Sequence, residues 1–178
     1  MSEWQPGDKQ PDTGSMLRVN QAGEYGAARI YAGQLAVLGR GSPAAHQISR
    51  MAAQEQRHLD RFNALLAERG VRPTALQPLW NIAGFALGAA TALMSEKAAM
   101  ACTDAIETEI DRHYSEQLEE LGGTDPELAS DIAEFQAEEL EHRETARAHG
   151  AQEAIAYPLM SAAIRAGCRV AIELSKRI

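Results

Sequence analysis

Residues 107–122 read ETEIDRHYSEQLEELG, and residues 24–39 read EYGAARIYAGQLAVLG. Laid over one another at an offset of 83 residues, they agree at seven of sixteen positions. The identities are Glu24/Glu107, Arg29/Arg112, Tyr31/Tyr114, Gln34/Gln117, Leu35/Leu118, Leu38/Leu121 and Gly39/Gly122. One further residue of slip places QEQRH at 54–58 over EELEH at 138–142, pairing Glu55 with Glu139 and His58 with His142. The chain therefore reads as two tandem helical hairpins. Each carries a lone glutamate on its first helix and Glu-x-x-His on its second.

The hairpins converge on one spot. Glu24 lies about fifteen residues before the end of its helix and Glu55 about twelve after the start of the next; at ~1.5 Å per residue these lengths nearly cancel. Glu107 and Glu139 stand about fourteen and thirteen residues from their own turn, by the same rise. Glu55 and His58, three apart, share a helix face, as do Glu139 and His142. An antiparallel bundle built this way aims four carboxylates and two imidazoles at one point. Buried together they repel or take up protons, whereas two divalent cations neutralise them. Oxygen-rich ligation with one imidazole per metal suits iron or manganese better than zinc. A single Glu-x-x-His is a weak signal, but two, each following a lone Glu inside a duplicated unit, form a strong one. This set is the di-iron carboxylate pattern of ferritin-like bundles. Of the neighbouring acids, Glu138 and Glu141 have no acidic counterpart in QEQRH and are read as solvated charge.

The rest of the chain fits an all-α domain. Alanine is abundant, aromatics make up only 5%, and β-branched runs are absent. The net charge of −8 argues against a phosphate-tracking nucleic-acid binder. Gly, Pro and cap residues divide the chain into hairpin one (15–70), an apolar segment (79–94), hairpin two (95–149) and a C-terminal helix (158–177). Within these, helices are expected at Ser15–Leu38, from the Ser42 N-cap to Gly70, and over Leu79–Leu121 with a break near Ser95. Another starts at TDPE (124–127), where Thr124 and Glu127 have capping-box spacing. The first fourteen residues, MSEWQPGDKQPDTG, are polar and rich in Pro and Gly; they read as a disordered tail on a cytoplasmic protein. Cys102 and Cys168 match no CxxC pattern and read as two reduced, buried thiols.

Two segments differ from ordinary bundle surface. LWNIAGFALGAATALM (79–94) has no charge, yet as a helix of ~24 Å it falls short of a hydrocarbon core of ~30 Å. It is either a buried core helix or an apolar surface or tunnel that meets lipid. The last segment is apolar too, with Arg165, Arg169 and Lys176 on one stripe. That pattern suits an anionic membrane surface or packing on the bundle. His46 and His149 are expected at the surface, His149 favouring its helix dipole. His113, six residues past Glu107, is either packed or in contact with substrate. Asp104 and Asp111 either orient ligand imidazoles or face solvent.

These residues resemble the demethoxyubiquinone hydroxylases of ubiquinone biosynthesis from about Met16 to the C-terminus. The resemblance rests on AGEYGAARIYAGQLAVL, VRPTALQPLWNIAGFALGAATALM, EKAAMACTDAIE, EELEH and AGCRVAIELS. It implies Glu24 and Glu107 as terminal iron ligands, Glu55 and Glu139 as bridges, and His58 and His142 completing the two shells. His113 and Tyr114 match a His-Tyr pair placed near the quinone in that family. RVNQAGE departs from the family, where many members carry Asp-His before AGE; here Asn20 and Gln21 stand. The implied reaction inserts one oxygen atom from O2 into the ring of a polyprenyl methoxy-benzoquinol. The implied cofactors are two iron ions, with NADH as ultimate electron donor. The implied partners are a membrane-borne quinol, a lipid-presenting accessory protein and a reductase. The implied location is the inner face of the cell membrane, bound peripherally. Two alternatives stand beside this: a ferritin- or rubrerythrin-like ferroxidase, and a non-enzymatic helical assembly protein whose acids are surface charge.

Overall fold

The computed structural model describes residues 10–39 and 41–178, so most of the expected N-terminal tail lies outside the described residues. Six α-helices follow in order: α1 (Thr13–Val37), α2 (Pro43–Glu68), α3 (Gln77–Met94), α4 (Glu96–Leu121), α5 (Pro126–Ala148) and α6 (Tyr157–Arg177). A single 3-10 turn, Ala151–Glu153, precedes α6. The protein is all-α, a ferritin-like bundle of α1, α2, α4 and α5 with α3 and α6 added outside. α1 lies along α2 and α4 along α5, and contacts of α1 with α4 and of α2 with α5 close the ring.

Short polar residues set the helix starts. Asp12 caps α1 through Ser15 N at 2.9 Å, so the helix opens two residues earlier than its Ser15 start was expected. Ser42 caps α2 at Ala45 N, with Pro43 in the first turn. Ser95 ends α3 and caps α4, which makes the expected break a junction of two helices. At α5 the expected Thr124–Glu127 box is replaced. Asp125 accepts from Leu128 N at 3.1 Å, Thr124 Oγ1 donates back to Leu121 O, and Glu127 reaches Arg61. Pro126, which has no N–H, takes the first helical position, so the cap falls one residue later than the box requires. Gly122, in the left-handed region at φ 52°, turns the chain out of α4.

Apolar residues fill both ends of the bundle and leave its middle polar. Leu17, Phe62, Leu65, Tyr114, Leu121, Leu128, Ile132 and Phe135 pack at one end. Tyr31, Ile48, Met51, Met100 and Ala146 pack at the other. Burying each of the larger side chains contributes about 1.5–3 kcal/mol, which anchors the helices on either side of the polar layer.

The two outer helices are held differently. α3 crosses α1 at backbone contact: a Cβ on Gly88 would meet Ile30 O at 1.9 Å, and one on Gly33 would meet Phe85 O at 2.2 Å. α6 is tied to α4 through the buried carboxylate of Glu109, which accepts from Arg165 Nε at 2.6 Å and Arg169 Nη1 at 2.8 Å. Two of the three residues of the expected basic stripe are thereby turned onto α4, and Lys176 pairs with Glu173. Of the two readings of the stripe, packing on the bundle is the one Arg165 and Arg169 adopt, as an anchor for α6. Both outer helices also expose large apolar side chains: Ile82 (71%), Leu93 (75%) and Met94 (63%) on α3, and Leu159 (73%) and Val170 (58%) on α6. No helix among the described residues is long and apolar enough to cross a membrane.

Candidate metal centre

The polar layer between the two apolar ends gathers all six residues singled out by the duplication. Glu24, Glu55, His58 and Glu139 form one group and Glu55, Glu107, Glu139 and His142 another; within each, one ligand atom per residue lies within 4.8 Å of the rest. Glu55 and Glu139 belong to both. All six side chains are buried. His58 Nδ1 stands 3.0 Å from Glu139 Oε1 and 3.3 Å from Glu24 Oε2. His142 Nδ1 stands 2.9 Å from Glu139 Oε2 and 3.2 Å from Glu55 Oε1.

The donor set fits a pair of cations. Glu24 Oε2, both Glu55 oxygens, His58 Nδ1, Glu107 Oε2 and Glu139 Oε1 are buried with no hydrogen-bond partner. Orphaned acceptors turned towards one centre are costly unless something positive joins them. The proton affinities point the same way. Burial first, then neighbouring carboxylates, push Glu55 and Glu107 well above the ordinary carboxylate range. Burial likewise raises Glu139 to about 7, against the pull of His58. His58, despite its burial, is raised to about 10 by Glu139 and Glu24, whereas burial lowers His142. Contacts with His58, Glu55 and Tyr114 outweigh burial at Glu24 and lower it. Metal-free, the cluster holds protons where cations would otherwise sit.

Each hairpin supports the other's acids. Tyr31 OH on α1 donates to Glu107 Oε1 on α4 at 2.6 Å, and Tyr114 OH on α4 donates to Glu24 Oε1 on α1. Tyr114 was singled out by family resemblance and Tyr31 was not, although their identity in the duplication was the signal that marks both. His113 sits one residue away but outside the cluster. Gln117 Nε2 donates to His113 Nε2 and to Asn20 Oδ1, both at 2.8 Å, and Asn20 Nδ2 returns a bond to Gln117 Oε1. Burial, with Lys176 and Arg112 nearby, lowers His113 to about 4, which keeps it neutral. Asn20 thus has a defined partner in place of the family's Asp, and Gln21 bonds Asn63 at 3.1 Å.

Several expectations for the surroundings change. Asp104 takes Arg147 and Tyr157, and Asp111 takes Arg143 and Gln136; neither touches an imidazole. Glu138 is no solvated charge: it accepts from His58 Nε2 at 3.0 Å and pairs with Arg57. It is reached because His58 lies across the α2–α5 seam, a relation invisible in either helix alone. Glu141 is exposed, as expected. His149 caps the end of α5 through Thr145 O at 2.8 Å, and His46 is exposed. Both cysteines are free, and burial raises each thiol to about 12.

Beside the cluster lies a cavity of about 490 Å³ between α1, α3, α4 and α6. Its wall is almost wholly apolar, including Ile30, Trp80, Leu87, Ile106 and Ile164, with Glu109 and Ser175 as polar members. Gly23 and Ala27 of the wall flank Glu24 on α1, and Ile106 and Ile110 flank Glu107 on α4. The cavity and the acid layer therefore share two helices.

A helical bundle with four central carboxylates, two of them shared, and two Glu-x-x-His histidines has the layout of the ferritin-like di-metal carboxylate class. Within it, the chain belongs to the family whose model is described as "Ubiquinone biosynthesis protein COQ7", which matches residues 11–175. It is 54% identical over 175 residues to 3-demethoxyubiquinol 3-hydroxylase of Rhodospirillum rubrum, covering 97% of this chain and 82% of that protein. It is 52% identical over 167 residues to the human mitochondrial NADPH-dependent 3-demethoxyubiquinone 3-hydroxylase, covering 92% and 76%. It is 42% identical over 179 residues to the mitochondrial 5-demethoxyubiquinone hydroxylase of Saccharomyces cerevisiae, covering 92% and 77%.

Proposed function

We propose that the chain hydroxylates the ring of a polyprenyl demethoxyubiquinol with O2 at a di-iron centre. Glu24 and His58 would hold one iron and Glu107 and His142 the other, with Glu55 and Glu139 available to both. The observation that carries this reading is an apolar cavity walled in part by α1 and α4, the helices that carry Glu24 and Glu107. A ferroxidase would use the same acids but leaves the cavity without an occupant, and the names of the relatives agree with the hydroxylase. The balance is one ring C–H, one O2, two electrons and two protons, giving C–OH and water. Two iron ions supply the redox capacity that this chain's own side chains lack.

The side chains hold and orient. The Tyr31 and Tyr114 hydroxyls fix one oxygen of Glu107 and Glu24 and leave the other free for metal. The cavity takes the isoprenoid-bearing ring and keeps bulk water from it. His113, neutral and anchored by Gln117, does not itself line the cavity, and a contact with a quinol hydroxyl rests on the family resemblance alone. Electrons come from a reduced nicotinamide. NADH is the expectation, the human relative's name specifies NADPH, and turnover with each distinguishes them.

The exposed apolar residues lie on α3 and α6, two of the four helices that wall the cavity. They suit a protein lying on the inner face of the cell membrane, where a lipid-presenting accessory protein or reductase would also dock. The decisive assay incubates reduced, iron-loaded protein with demethoxyquinol and isotopically labelled O2. The expected product is the ring hydroxylated with labelled oxygen. An intact reduced centre that turns over iron but never the quinol would overturn the proposal.

A further inference from the structure

The outer nitrogens of the two site histidines have unequal partners. His58 Nε2 donates to Glu138 Oε2 at 3.0 Å, and His142 Nε2 to Gln54 Oε1 at 3.1 Å. Gln54 and Glu138 are the same position of the two repeats, each immediately before the bridging glutamate. Each reaches across the α2–α5 seam to the other hairpin's histidine. Gln54 Nε2 also donates to Glu138 Oε2 at 3.3 Å, so one chain of hydrogen bonds runs His142–Gln54–Glu138–His58. Only one orientation of the Gln54 amide satisfies both ends, because its carbonyl must face an N–H and its NH2 a carboxylate. Both imidazoles thereby carry a proton on Nε2, with Nδ1 directed towards the central carboxylates.

We propose that Glu138 and Gln54 are positioning residues that make the two halves of the centre unequal, the His58 half binding divalent metal more tightly than the His142 half. This rests on the di-metal reading above. A carboxylate behind an imidazole N–H raises the basicity of the opposite nitrogen and stabilises the positive charge it shares with a metal; a neutral amide orients the ring but does this less. Arg57, the other cation on Glu138, is 54% exposed, so solvent screens much of its opposing charge. The tyrosine supports of Glu24 and Glu107 are matched between halves. Among these outer contacts the inequality is therefore concentrated at one repeat position.

The test titrates metal-free protein with cobalt(II), following visible absorption and calorimetry. Four chains are compared: wild type, Glu138→Gln, Gln54→Glu, and the double swap. The expected wild-type pattern is one tight and one weaker step. Glu138→Gln weakens the tight step by about 10–100-fold, the range typical of such outer partners. Gln54→Glu strengthens the weaker step by about tenfold, and the swap restores a tight and a weak step. A residue that merely supported the fold would not be rescued by a carboxylate on the opposite helix. Gln54→Glu retains Glu138 and so reads the effect even if Glu138→Gln fails to fold. Unchanged affinities in either single variant, or no rescue in the swap, overturn the inference while leaving the metal centre intact. Failure of wild type to bind two cobalt ions instead overturns the di-metal reading on which it rests.

Discussion

The α1–α2 and α4–α5 hairpins present the same ligands, but what surrounds those ligands is matched in one respect and mismatched in another. The terminal acids Glu24 and Glu107 each receive a tyrosine hydroxyl from the opposite hairpin. The histidines receive a carboxylate on one side and an amide on the other. The outer helices diverge further. α3 meets α1 through glycines at backbone contact, whereas α6 meets α4 through a buried carboxylate shared by arginines. The six central side chains and the tyrosines on the terminal acids match between the halves, whereas the histidine partners and the outer helices do not.

The largest expected effect comes from breaking the shared element. Glu139→Ala removes a carboxylate common to both groups, so metal analysis should show both ions lost and hydroxylation at background. Glu24→Ala, which touches one group only, should spare one of the two. Next is the packing contrast. Gly88→Ala drives a Cβ into Ile30 O and should cost about 1–3 kcal/mol or more in thermal unfolding. Gly167→Ala on α6 meets open space and should be neutral or stabilising by up to about 1 kcal/mol, from helix propensity alone.

Glu109→Gln should cost about 1–2 kcal/mol, modest because the arginines it holds are partly exposed to solvent, with the loss seen as earlier exchange of α6 amides. If α6 exchange is unaffected, Glu109 is not what fastens it. A further contrast, between metal-free and metal-loaded protein, is read in pH. His58 is raised from 6.5 to about 10, so the stability it lends metal-free protein is complete below about 6.5 and lost as pH climbs towards about 10. Glu55 and Glu107, also raised, act in the same direction. Melting temperature of metal-free protein should therefore fall from pH 6.5 towards 9, where cysteine ionisation begins to add. Metal-loaded protein, its protons displaced, should be flat over that range.

Much of the site was legible because a helix of known rise turns spacing into height. Glu24, Glu55, Glu107 and Glu139 could be placed in one layer from their distances to two turns, and i,i+3 spacing put each histidine beside its glutamate. The same logic failed for Glu138. It and Glu139 are neighbours on one turn, and which of them meets which histidine depends on the facing helix. For Arg165 and Arg169 it left the choice open, since a stripe on one helix does not say whether lipid or Glu109 lies opposite.

The sequence by itself therefore determined the two hairpins, the six central side chains and an uncharged helix at 79–94, because each follows from periodicity along one helix. Only the tertiary structure decided the crossed tyrosines, the Gln54–Glu138 chain, the inward arginines and the cavity beside the centre. Those depend on which surfaces of separate helices come within hydrogen-bond or van der Waals reach, a distance no single helix contains.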